Sequence, residues 1–143
     1  MDINKYMQAA IETARNHKTP FGAVITKNGK IVVQAANQTR QLTDPTAHAE
    51  ICAIRRACSL LQSTRLQGCS LITTCEPCPM CMSAAIWAGI ETLVYGCSIP
   101  VISEFMYQID LGSAQILKAS GRNMDVQGHC MADKCRALLA DFG

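Results

Sequence analysis

No stretch of this chain stays apolar for the ~20 residues that a membrane-crossing helix needs, which excludes a spanning helix. Charge of one sign is also lacking. Thirteen Lys and Arg stand against eleven Asp and Glu, a net charge of +2, and no acidic or basic block stands out. Such a balance does not mark a protein that grips nucleic acid mainly through its phosphates. Internal repeats and low-complexity tracts are missing, which argues against a solenoid or a long disordered linker. The N-terminus, Met1-Asp2-Ile3-Asn4-Lys5-Tyr6, has neither the basic nor the apolar region of a secretory signal. A cytoplasmic protein is expected.

What is present fits one domain, residues 1–143, with 49% apolar residues to build a core. Nine cysteines are present. The number is odd and the chain is no small secreted scaffold, so reduced thiols or metal ligands are expected rather than a disulfide framework. Most should be small buried apolar residues.

Ile3, Met7, Ala10, Ile11 and Ala14 recur at helical spacing and predict a first helix that ends between His17 and Pro20. Phe21–Thr26 and Ile31–Ala36 flank Asn28-Gly29, a hairpin signal. Asn37–Pro45 reads as a loop. A helix follows from about His48 to Leu61, with Asp44 or Thr46 as its cap. Ser70–Thr74 and Leu93–Tyr95 read as strands, the latter ended by Gly96. Cys78–Ala88 reads as a helix ended by Gly89, and Asp133–Phe142 as a terminal helix. Ser98–Val126 gives no clear pattern. The alternation predicts an α/β layered fold with a mixed sheet, the first two strands antiparallel and the later ones parallel.

Two segments carry chemistry. Thr46-Ala47-His48-Ala49-Glu50 and Cys75-Glu76-Pro77-Cys78-Pro79-Met80-Cys81 together match H-x-E followed by P-C-x-x-C. Cys78 and Cys81 are three apart, on one face of a helix. Pro77 and Pro79 favour a helix start, whose positive end would promote the thiolate that zinc needs. With His48 as third ligand, the fourth tetrahedral position stays open for water, the arrangement of a catalytic zinc. Glu50, two residues after His48, would point away from it on an ideal helix. Both meet at one centre only if the helix begins here and aims its end at the metal. Cys75 adds a C-x-x-C-x-x-C run that could begin an iron–sulfur site, but position 85, where a fourth ligand would fall, is Ala85. Cys75 is expected to end the third strand as a buried thiol. A zinc that only staples the fold would need a fourth protein ligand, for which Cys75 is the one candidate in the motif.

These motifs, with Pro20-Phe21-Gly22-Ala23-Val24-Ile25, Asn37 and Asp44-Pro45, resemble the cytidine deaminase-like superfamily. The resemblance covers about Pro20 to Gly96 and is nearest to bacterial guanine deaminases and tRNA adenosine deaminases. It implies a three-layer αβα sandwich with a five-stranded mixed sheet, one zinc per subunit and a homodimer. It implies that Asn37 bonds the base and that Phe21, Ala23, Ala47 and Trp87 line the pocket. It also implies that Glu50 moves the protons of a hydrolytic deamination. Cys75, Trp87 and the low net charge favour a free base, guanine first. Asp110 or Gln108 would then accept from its N–H groups. The terminal segment Ala132–Leu139 resembles that of tRNA deaminases, which keeps tRNA as an alternative partner, and cytosine or a nucleoside stays open.

Overall fold

The computed structural model describes residues 1–143. The chain runs α1 (Ile3–Asn16), β1 (Gly22–Lys27), β2 (Lys30–Ala36), α2 (Ala49–Leu61), β3 (Cys69–Cys75), α3 (Pro79–Ala88), β4 (Thr92–Cys97), α4 (Ile99–Ile102), α5 (Ser113–Ser120), β5 (Asp125–Gln127) and α6 (Ala132–Phe142). The five strands form one sheet in the order β2-β1-β3-β4-β5. β1 is antiparallel to β2 and β3, while β3–β4 and β4–β5 are parallel. The three-layer sandwich and mixed sheet expected from the sequence are therefore present.

The hairpin turns where Asn28-Gly29 predicts it. Both residues hold positive φ, 52° and 74°, and Lys27 pairs with Lys30. Side chains alternate across the pleat. Ala23, Ile25, Val33, Leu71 and Leu93 face α2 and α3 in one core, and Val24, Ile72 and Val94 face α1 and α6 in the other. No helix is long and apolar enough to cross a membrane.

Three expectations shift. β4 does not stop at Gly96 but runs to Cys97, whose Cα pairs with Cys75. Gly96 is needed there because α6 lies against it, with the Cys135 sulfur where a Cβ would stand. Neither Asp44 nor Thr46 caps α2, whose cap is His48. Asp44 instead bonds the Thr46 amide and hydroxyl at 2.9 and 2.7 Å, shaping the turn that leads into it. The unclear region holds α4, α5 and β5, elements of four, eight and three residues.

The chain direction of these strands brings four ends to one sheet edge. β2 ends there before Asn37, β3 before Glu76 and β4 before Ser98, and β1 begins there after Phe21. The start of β1 is pinned by α1: a Cβ on Gly22 would collide with the Ala10 carbonyl and stand 3.0 Å from the Ala14 Cβ. Gly22→Ala is expected to lose about 1–3 kcal/mol of stability, the usual cost of overpacking, measured as a lower urea midpoint with an unchanged m-value.

Candidate metal centre and its cavity

Helices α2 and α3 both begin at this sheet edge, and their cap residues carry the chemistry. His48 caps α2 and Cys78 caps α3, each with extended backbone (φ/ψ −65°/158° and −64°/169°) and no side-chain bond to its own helix. A cap side chain of this kind is free to reach outward. Pro79 takes the first position of α3, where its missing N–H costs nothing. Cys81 lies in the same first turn and is fully buried. The two cysteines thus converge as a cap and a first-turn residue, not as two residues on a helical face.

The Nδ1 of His48 stands 3.6 Å from the Cys78 sulfur and 3.5 Å from the Cys81 sulfur. All three donor atoms lie within 4.8 Å of one another. A tetrahedral zinc with Zn–S of about 2.3 Å and Zn–N of about 2.0–2.1 Å would hold N and S about 3.5–3.6 Å apart. The donor set and its spacing therefore fit zinc, bound through Nδ1. No other group of three His, Cys, Asp or Glu has this spacing. Cys75 ends β3 as expected, 4% exposed, its sulfur 4.0 Å from the Pro20 carbonyl oxygen. It is not part of the metal-ligating group.

Electrostatics within the group are those of ligands awaiting a cation. The Cys81 thiol and His48 bond the Cys78 sulfur and hold its pKa down to about 4, against the pull of burial. Cys81, bonded to Cys78 and buried, is pushed far up. His48 is raised, first by its bond to Cys78. Two helix N-termini add positive potential at the same point. Zinc takes cysteines as thiolates, so metal binding and thiol deprotonation are coupled.

Glu50 lies in the first turn of α2 and is 6% exposed. The condition set by its spacing from His48 is met, because α2 begins at Ala49 and His48 precedes the helix. Burial pushes its carboxyl up to about 7, with the neighbouring Cys78 thiolate adding to the rise.

These groups lie at a cavity of about 450 Å³ lined by fifteen residues, eight of them hydrophobic. That size and character suit a small organic ligand. Of the residues expected to line a pocket, Phe21 and Asn37 line this cavity, with His48, Glu50 and Cys78. Ala23 and Ala47 are wholly buried beneath the site and do not line it. Trp87 is displaced more strongly: it sits near the far end of α3, 76% exposed and outside the cavity. Asp110 also lies outside, although its neighbours Gln108 and Ile109 line the wall. The wall residues Ile102, Met106 and Tyr107, and Glu76 in the floor, were not foreseen. A depression of about 480 Å³ elsewhere, between Arg65 and Arg122, holds none of the metal-ligating residues and is not the site.

The family described as the cytidine and deoxycytidylate deaminase zinc-binding region matches residues 1–97. The guanine deaminase of Bacillus subtilis is 50% identical over 76 residues, 53% of this chain and 49% of that protein. The tRNA-specific adenosine deaminase of Agrobacterium fabrum is 42% identical over 99 residues, 66% of this chain and 65% of that one. The matched segments thus span about half to two thirds of these relatives. A solved structure from work on A-to-I editing by tRNA:A34 deaminases at the wobble position of transfer RNA superposes with a TM-score of 0.82 at 31% identity, covering 94% of this chain and 98% of that one.

Chelation should strip the metal, and Cys81→Ser should weaken zinc binding by more than the roughly 10–100-fold that loss of an outer partner costs. Competition with a chromophoric chelator reads the affinity directly.

Proposed function

Since the chain belongs to the cytidine and deoxycytidylate deaminase zinc-binding family, we propose that it hydrolytically deaminates a nucleobase, guanine first, with His48, Cys78 and Cys81 as zinc ligands. The observation that carries this reading is the donor triangle with the buried Glu50 carboxyl beside it, at the wall of a largely apolar cavity. Bound zinc would lower the pKa of water enough to furnish a nucleophile near neutral pH.

The chain's own residues do the rest. The Glu50 carboxylate accepts a proton from the attacking water and delivers it to the ring nitrogen beside the attacked carbon. It then passes a proton to the departing amine, acting as base and acid in turn. Guanine and water give xanthine and ammonia, with attack at C2. Phe21 and Met106 offer apolar surface to a planar ring. Asn37 lines the cavity and donates from Nδ2 to the Thr39 hydroxyl at 3.3 Å, which leaves its Oδ1 as an acceptor for the base. Of Asp110 and Gln108, the two residues expected to accept from the base, Gln108 is the one that lines the cavity and takes that role.

The 50% identity to a guanine deaminase supports guanine as substrate. A second reading, adenosine in tRNA, is supported by the 94% coverage against the tRNA:A34 deaminase structure. It requires a basic surface around the cavity mouth, and the chain carries a net charge of only +2.

A homodimer is part of the proposal. Helix α3 is apolar on nearly all sides, and on its outer stripe Met80 and Ala84 are half-buried while Trp87 stands exposed in the single chain. A second copy laid on this stripe would cover Trp87. A cytoplasmic setting agrees with nine free cysteines.

Glu50→Gln should keep its zinc and lose about 10²–10⁴-fold or more in turnover. The assay is ammonia release from guanine, cytosine, adenine, their nucleosides and an anticodon-arm RNA. Release from the RNA alone would replace guanine with the editing reading. For the dimer, Trp87→Glu should shift sedimentation equilibrium toward the monomer; identical profiles for variant and wild type would reject the α3 interface.

A further inference from the structure

The floor of the cavity holds a second buried carboxylate for which proton transfer has no use. Glu76 follows β3 directly and is 8% exposed. Its Oε1 accepts from the Ile99 amide at 2.8 Å. Its Oε2 accepts from the Ser113 amide at 2.8 Å and from the Ser113 hydroxyl at 2.7 Å. Ile99 is the first residue of α4 and Ser113 the first of α5. One carboxylate therefore ties down two chain segments that are 14 residues apart. Short bonds to an ionised acceptor are among the stronger hydrogen bonds in proteins.

Between these anchors runs the strap that forms one wall of the cavity. It supplies Ile102, Met106, Tyr107, Gln108 and Ile109. Its first half has other support, from Arg136 bonded to Glu104 at 3.2 Å and stacked 5.0 Å from the Phe105 ring. Its second half has little. The Gln108 side chain bonds only the neighbouring Tyr107 carbonyl, and Tyr107 and Ile109 are 86% and 54% exposed. The Ser113 anchor ties the end of this half to Glu76.

We propose that Glu76 is a positioning residue that fixes both ends of the 99–113 strap and so sets the wall against which the base is held. This rests on the deaminase reading of the site. Glutamine cannot replace it: the amide offers one accepting oxygen, so one anchor would face an N–H toward an N–H and leave a buried donor unpaired. Aspartate keeps the charge but is one methylene too short to reach both anchors at these distances.

The test uses the zinc-loaded full chain carrying Glu76→Gln, with Ser113→Ala as a milder variant that deletes only the hydroxyl donor. In hydrogen exchange, the Ile99 and Ser113 amides and the strap should lose at least tenfold protection in Glu76→Gln. The amides of Leu71, Ile72 and Val94 in the sheet should keep theirs. With the base that the wild type deaminates, KM should rise about tenfold or more at nearly constant kcat and zinc content. Ser113→Ala should raise KM a few-fold, and Glu76→Asp should fall between Gln and wild type. Unchanged KM in Glu76→Gln overturns the proposal, as does kcat falling with zinc content at constant KM, the mark of a merely structural role. Strap amides as protected as in the wild type also overturn it. If guanine proves not to be the substrate, the exchange arm still decides the strap, so the two failures are separable.

Discussion

Two helices beginning at one point of the sheet edge are the constraint on which this site depends. An N-terminal cap residue is extended, and its side chain is not committed to the helix wall. His48 and Cys78 both occupy that position, and neither uses its side chain to cap its own helix. Freed from capping, they face each other across 3.6 Å. The cost is two helix starts without side-chain caps, each worth about 1 kcal/mol in ordinary helices. The gain is a ligand set placed by backbone rather than by flexible side chains, where the positive ends of two helices favour a thiolate.

Much else follows from that placement. Glu50 reaches the centre because α2 starts one residue after His48. Cys81 reaches it from the first turn of α3, its sulfur 3.5 Å from the His48 Nδ1. The sheet must end its second, third and fourth strands at this edge, which its mixed topology achieves by reversing β1 alone. The same edge brings Glu76 beneath the strap, so ligands, proton carrier and cavity wall all hang from the seven residues between Cys75 and Cys81 and the short turn before α2.

Local signals were legible where local physics decides. Asn28-Gly29 gave the hairpin, Gly89 the end of α3, and H-x-E with P-C-x-x-C the metal group. The cap of α2 was misread because Asp44 and Thr46 are better intrinsic caps than histidine, and the site's geometry overrides that preference. Trp87 was expected in the cavity, but its helical position turns it away from the first turn of α3, where the cavity lies. The strap was opaque for a different reason. A helix of four residues carries no readable period, and both ends of the strap are tied to Glu76, 23 and 37 residues away in sequence. The one available sign was an acidic residue directly after a wholly buried strand.

The central claim is a metal held by one imidazole and two thiolates, with its fourth position left for water. X-ray absorption at the zinc edge of the loaded protein measures that shell directly. Two sulfurs at about 2.3 Å and two lighter atoms at about 2.0–2.1 Å are expected, one from His48 and one exchangeable with solvent. A third sulfur would close the shell and contradict a catalytic centre.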